Sequence, residues 1–178
     1  MQYRQLGRSG LKISPICLGA MMFGGPTDEA TSARIVAKAR EAGVNFIDTA
    51  DAYNGGQSEQ VVGRTISSHR SNWILATKLA NRIGDDPNHG GLSRRWVLQA
   101  AEESLKRLGV DHIDLYYLHK EDHATPLQET VRAMGDELKV SRTLDLKKRI
   151  GGLTQQKRVM FRTNDQYNAL VALFFQSI

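Results

Sequence analysis

The stretch Gly43-Val44-Asn45-Phe46-Ile47-Asp48-Thr49-Ala50-Asp51-Ala52-Tyr53 decides how the chain is read. Asn45–Ile47 is a short apolar run of the kind that forms a strand covered on both faces, and it ends in a carboxylate. The pattern recurs downstream. Trp73–Ala76 runs into Thr77 and Lys78, and Ile113–Leu118 runs into His119. Upstream, Ile16–Leu18 reads as a first strand of the same type.

Helices are expected between these strands. The first spans about Asp28 to Ala42, with Ile35, Val36 and Ala39 on one face and Gly43 as the stop. The second starts at Ser58, read as its N-cap, and carries Val61, Val62 and Ile66. The third has Ser93 as N-cap, a stripe of Trp96, Val97, Ala100, Ala101, Leu105 and Leu108, and Gly109 at its end. A fourth begins after Pro126. Before all of them, Tyr3–Leu6 and Leu11–Ile13 flank the turn-rich Gly7-Arg8-Ser9-Gly10 and read as a hairpin.

Strand–helix alternation specifies an α/β fold of parallel strands joined by right-handed crossovers. Four βα units suit either a doubly wound sheet or part of an eight-fold barrel. A complete barrel takes about 250 residues, and this chain has 178.

Composition narrows the function. Hydrophobic residues make up 40% and charged residues 24%, ordinary for a globular domain. No apolar run is long enough to span a bilayer, the N-terminus lacks an apolar signal core, and Cys17 is the single cysteine. A cytoplasmic protein without membrane insertion is expected. The net charge of +5 lies wholly in residues 137–178. Residues 1–136 hold 16 basic and 16 acidic side chains; the remainder holds eight and three. Lys147-Lys148-Arg149 reads as a solvated turn, so nucleic acid is not an expected partner.

In a parallel α/β fold the carboxyl ends of the strands share one face, where active sites are built. Asp48, Lys78 and His119 are therefore expected to converge, with Tyr53 folding back over them from a Gly-rich loop. Singly, each has an ordinary structural explanation. Together they suit proton donation to an oxyanion. A phenol has a free pKa of about 10 and donates more readily beside an ammonium that stabilises the phenolate. A carboxylate holds that ammonium, and an imidazole orients or polarises a carbonyl. His119 and His123 stand at i and i+4, but the stretch follows a strand and precedes Pro126, so no metal site is expected.

Several stretches resemble the aldo-keto reductase family. They are Leu6-Gly7-Arg8-Ser9-Gly10-Leu11 with Pro15-Ile16-Cys17-Leu18-Gly19, the Gly43–Tyr53 stretch continuing to Gly56-Gln57-Ser58-Glu59-Gln60-Val61-Val62-Gly63, Ala76-Thr77-Lys78, and Ser104–Gly109 leading to Asp114–His119. The resemblance covers residues 1–136. It implies the N-terminal half of a (β/α)8 TIM barrel, about four βα units behind a β-hairpin, that reduces an aldehyde or ketone with NADPH. It further implies that Tyr53 is the general acid, that Lys78 and Asp48 tune it, and that His119 positions the carbonyl. Gly19, Ala20 and Met21, with Asp48, would bind the cofactor on its nicotinamide side; Ala20 stands where the family frequently has Thr.

After Asp136 the family pattern stops. Glu137–Arg149 does not read as a fifth strand, and Gln166-Tyr167-Asn168-Ala169-Leu170 matches the family's sixth-strand region only by chance, its spacing and flanks being wrong. Residues 137–178 are read as a divergent basic tail of a frameshifted, truncated or alternatively spliced product, with Ala169–Phe175 as a buried helix or strand. Half a barrel exposes sheet edges beside its first and fourth strands and an inner face. Either the tail or a second copy in a homo-oligomer is expected to cover them. Two functions follow: a reductase acting on a small carbonyl substrate, or a non-catalytic remnant or interaction module of the same family.

Overall fold

The computed structural model describes residues 1–7 and 9–135, together with the backbone of residues 160–164 and 169–173. Residues 136–159, 165–168 and 174–178, on which the readings of Glu137–Arg149, of Gln166–Asn168 and of the last two residues of Ala169–Phe175 fall, lie outside the described residues.

The chain opens with the expected hairpin. Strands β1 (Arg4–Gln5) and β2 (Lys12–Ile13) pair antiparallel, Arg4 opposite Ile13. The turn closes with Gly7 at φ 57° and the Leu6 amide donating to the Leu11 carbonyl at 2.9 Å.

Four parallel strands follow, β3 (Leu18–Gly19), β4 (Phe46–Asp48), β5 (Ile74–Leu79) and β6 (Leu115–Leu118). Helices α1 (Glu29–Glu41), α2 (Gln57–Ile66) and α3 (Arg94–Leu108) cross between them, and α4 (residues 127–135) follows β6. These are the first four βα units of a (β/α)8 barrel. Strands β7 (Met160–Asn164) and β8 (Ala169–Leu173) extend the sheet to the order β3-β4-β5-β6-β8-β7. β8 pairs antiparallel with β6, Tyr116 opposite Ala172. The edge expected to lie open beside the fourth strand is thus paired, and in the opposite direction to a barrel's next strand.

The register sorts side chains between two faces. Gly19, Asp48, Ala76 and Leu115 are successive partners across the sheet and so share its inner face. The hairpin caps the lower end of that face, where Leu6 and Leu11 pack with Phe46, Ile74, Leu115 and Tyr117. The outer face carries Ile47, Leu75, Leu79 and Leu118, all essentially excluded from solvent beneath the helices. Each such leucine or isoleucine contributes about 1.5–3 kcal/mol by leaving water. α2 and α3 approach so closely that a Cβ on Gly63 would stand 1.9 Å from the Leu108 carbonyl oxygen.

Local chemistry explains where the elements depart from the expected bounds. The first strand begins at Leu18 rather than Ile16. Pro15 has no amide to donate, and the Ser14 hydroxyl donates to the Ile16 carbonyl at 2.6 Å, holding Ile16 out in solvent. In α1 the buried row is Ser32, Val36 and, in part, Ala39; Ile35 lies one position round the helix and is 37% exposed. Asp28 caps α1 through the Thr31 amide at 2.7 Å, and Ser93 caps α3 through that of Trp96 at 3.3 Å. α2 is capped by Gly56 at φ 87°, not by Ser58, whose hydroxyl points inward. No helix among the described residues is long and apolar enough to cross a membrane.

Candidate active site

Strand ends and one tight turn build the site. β4 ends at Asp48. In β5, Lys78 stands two residues beyond Ala76 and so shares its inward face. His119 follows the last residue of β6, its amide donating to the Leu79 carbonyl at 2.8 Å. Tyr53 opens a 3₁₀ turn, Tyr53–Gly56, in which Asn54 (φ 50°) and Gly55 (φ 62°) adopt left-handed backbone. That hand suits glycine and asparagine, and it turns the phenol back over the strand ends.

The Lys78 ammonium joins these parts. It donates to Asp48 Oδ2 at 2.5 Å, to the Thr49 carbonyl at 2.8 Å and to the Tyr53 hydroxyl oxygen at 3.2 Å. The ion-pair side chains are 15% and 24% exposed, so water screens them less than a surface pair. The His119 ring meets the Tyr53 ring edge-on, at 83° with centroids 5.6 Å apart. All four ionisable residues expected to converge are brought together. Gly19, Ala20 and Met21 lie beside them. Gly19 is the ladder partner of Asp48, the Ala20 amide donates to the Asp48 carbonyl at 2.8 Å, and Met21 is exposed.

Burial pushes the Asp48 carboxyl above its ordinary value, and the Lys78 ammonium offsets this only in part. Burial, then Lys78, then Lys120 hold the His119 imidazole below its usual range, which favours the neutral ring.

Four residues of this neighbourhood are not among the expected set. Asn54 donates from Nδ2 to the carbonyls of Met21 (2.8 Å) and Phe23 (2.9 Å), tying the Tyr53 turn to the loop after β3. Its signal was the Asn54-Gly55-Gly56 run, which marks a left-handed turn but not what the amide would hold. Ser58 donates to the Ala20 carbonyl at 2.7 Å. Asn81 Nδ2 lies 3.0 Å from His119 Nδ1. Asp51 is buried between the strand end and Tyr53, and burial and the nearby Glu59 push its carboxyl up to about 7, against the pull of Arg107, the Ala52 amide and Lys78. Glu59 itself accepts from the Thr77 hydroxyl and from Arg107 Nε, each at 2.6 Å.

Comparison with known proteins places this geometry. A family model described as the aldo/keto reductase family matches residues 15–141. A probable voltage-gated potassium channel subunit beta of Oryza sativa subsp. japonica is 42% identical over 138 residues, covering 75% of this chain and 42% of that protein. The uncharacterized oxidoreductase YrpG of Bacillus subtilis (strain 168) is 40% identical over 151 residues, covering 78% and 46%. Among solved structures, the aldo-keto reductase AKR11C1 from Bacillus halodurans, in its holo form, superimposes with a TM-score of 0.71 at 39% identity, covering 79% of this chain and 47% of that one. The chain spans under half the length of these relatives.

Proposed function

Since the chain belongs to the aldo/keto reductase family, we propose that it reduces the carbonyl group of an aldehyde or ketone, with NADPH as hydride donor. The observation that supports this reading best is the bridge from Asp48 through Lys78 to the Tyr53 hydroxyl, with the His119 ring alongside.

The strand ends fit a nicotinamide. Gly19 faces the same side as Asp48, and a Cβ built on it would meet nothing within 4 Å, so a flat ring could lie against that backbone. Gly19, Met21 and Asp48 would hold it; Ala20 is fully buried, its amide on the Asp48 carbonyl and its carbonyl on the Ser58 hydroxyl, and would act only by fixing the backbone beside the ring. When bound, the dihydronicotinamide supplies a hydride to the carbonyl carbon. Tyr53 gives its hydroxyl proton to the carbonyl oxygen, and an alcohol results. The charge left on the phenol oxygen is met by the Lys78 ammonium 3.2 Å away. Asp48 keeps that ammonium charged and in place, and His119 orients the carbonyl oxygen by a hydrogen bond. A site half shielded from water strengthens each of these interactions. That a structural relative is described as a holo form supports the cofactor assignment.

On this reading residues 1–136 form the family-type unit and residues 137–178 an appended segment, in a cytoplasmic protein whose Cys17 stays reduced. A homo-oligomer covers the outer edge of β3, which has one neighbouring strand, β4, among the described residues; light scattering showing a monomer would remove that element. The test of activity is loss of NADPH absorbance with a panel of aliphatic and aromatic aldehydes and ketones.

A second reading is a non-catalytic module of the same family. It is favoured by the 42% identity over 138 residues with a protein described as a probable voltage-gated potassium channel subunit beta. A folded chain that binds no NADPH would establish it over the first.

A further inference from the structure

Leu79 and Leu118 are the last ladder partners of β5 and β6. Beyond them the two strands end differently. His119 continues the register, with its amide on the Leu79 carbonyl at 2.8 Å. Ala80 breaks it. Its φ is 117°, in a region an alanine rarely enters, and its side chain is buried. Such backbone is strained and persists only where its surroundings enforce it. Here the Gly91 amide donates to the Ala80 carbonyl at 3.0 Å and fixes the bend. The result is that Asn81 points across the strand ends rather than along its own strand, and its Nδ2 stands 3.0 Å from His119 Nδ1.

An amide NH₂ is a donor only. A ring nitrogen that receives from it must present a lone pair. In a neutral imidazole one nitrogen accepts and the other holds the proton, and the partner of one decides the state of the other. We propose that Asn81 is a positioning residue that holds His119 in the Nε2–H form, so that the ring presents an N–H donor to the carbonyl oxygen of the substrate. The last clause rests on the reductase reading; the control of the ring does not.

The rest of the surroundings agree. The Tyr53 ring lies edge-on to His119, and the nearby charges are the ammonium groups of Lys78 and Lys120. Each opposes a positive imidazolium. A donor aimed at Nδ1 opposes it as well, because a protonated Nδ1 would face another donor. Among the described residues nothing is bonded to Nε2, which leaves that N–H for a ligand.

The test is long-range ¹H–¹⁵N NMR of the histidine rings in the full chain, with His119 assigned by its loss in His119→Gln. The wild-type ring should show a protonated Nε2 and a bare Nδ1 across neutral pH. Asn81→Asp places an acceptor at Nδ1. It should move the proton to Nδ1 and raise the ring's pKa by about one unit, as an adjacent carboxylate does. In Asn81→Leu, kcat/KM for the carbonyl substrate should fall about tenfold, the worth of one neutral hydrogen bond, with NADPH affinity unchanged. A wild-type ring protonated at Nδ1, or an Asn81→Asp ring unchanged in both respects, overturns the proposal without requiring any variant to turn over. An Nε2–H ring in a folded chain that reduces no carbonyl overturns the reductase reading instead and leaves the control of His119 by Asn81 standing.

Discussion

Lys78 Nζ stands 3.2 Å from the Tyr53 hydroxyl and 2.5 Å from Asp48 Oδ2, although 25 and 30 residues separate them. No local element could produce that arrangement. It comes from the parallel pairing of β4 with β5, which sets Asp48 beside Ala76, two residues before Lys78. The left-handed turn at Asn54 and Gly55 completes it. The fold's register and one tight turn therefore bring the ammonium, the carboxylate and the phenol together.

Tyr53→Phe removes the hydroxyl and keeps the ring packed against His119. Carbonyl reduction should fall by about 10²–10⁴-fold, the usual contribution of a positioned general acid. NADPH affinity should change little. Steady-state turnover together with a binding titration separates the two. Turnover within a factor of a few of wild type would remove Tyr53 from the acid role.

Lys78→Met deletes the charge that holds the Asp48 carboxyl down. Burial then acts unopposed by that ammonium, and the Asp48 pKa should rise further above its ordinary value. Carboxyl ¹³C chemical shifts followed through a pH titration read this directly. A fall would mean that the pair does not form in solution.

Asp51 makes stability depend on pH. Its folded pKa of about 7 lies above the ordinary Asp value of about 3.9. Between those values the folded state binds more protons than the unfolded state, so stability falls as pH rises. The stabilisation is fully present below about pH 4 and is lost as pH climbs through about 7, by at most about 4 kcal/mol at 1.36 kcal/mol per unit. Glu59, Arg107 and Lys78 are the charged groups around it. Urea unfolding at pH 5 and pH 8 should show the decline in the wild type and a flatter profile in Asp51→Asn. Equal slopes would contradict this account of Asp51.

Gly63→Ala should destabilise the fold by about 1–3 kcal/mol, as overpacking does. The added Cβ would fall 1.9 Å from the Leu108 carbonyl oxygen, and backbone cannot yield as a side-chain tip can. Thermal unfolding checks this. An unchanged midpoint would mean that α2 and α3 are further apart than described.

Much of this was legible in the sequence, for identifiable reasons. The strands that carry Asp48 and Lys78 and lead into His119 were readable because buried parallel strands are apolar almost throughout, so an ionisable residue at or next to the end marks the sheet's rim. Ser93 and Gly109 were readable because caps have local chemistry. Ser58 misled for the same reason. It has the composition of a cap, but the Ala20 carbonyl claims its hydroxyl across 38 residues of sequence. Asn81 and Asp51 were illegible because their significance comes from neighbours on other elements, namely His119 for one and Glu59 and Arg107 for the other. The antiparallel pairing of β8 on β6 was equally out of reach. An apolar stretch such as Ala169–Leu173 announces burial but not direction.

The proposed reduction requires that this chain bind a hydride donor at the ends of β3–β6. Titration with NADPH, followed through the fluorescence of the buried Trp73 and Trp96, tests it most directly. Saturable quenching in the micromolar range, kept in Tyr53→Phe, is the predicted result. A chain shown by circular dichroism to be folded, whose fluorescence does not respond to NADPH, would contradict the account and leave a family scaffold without its reaction.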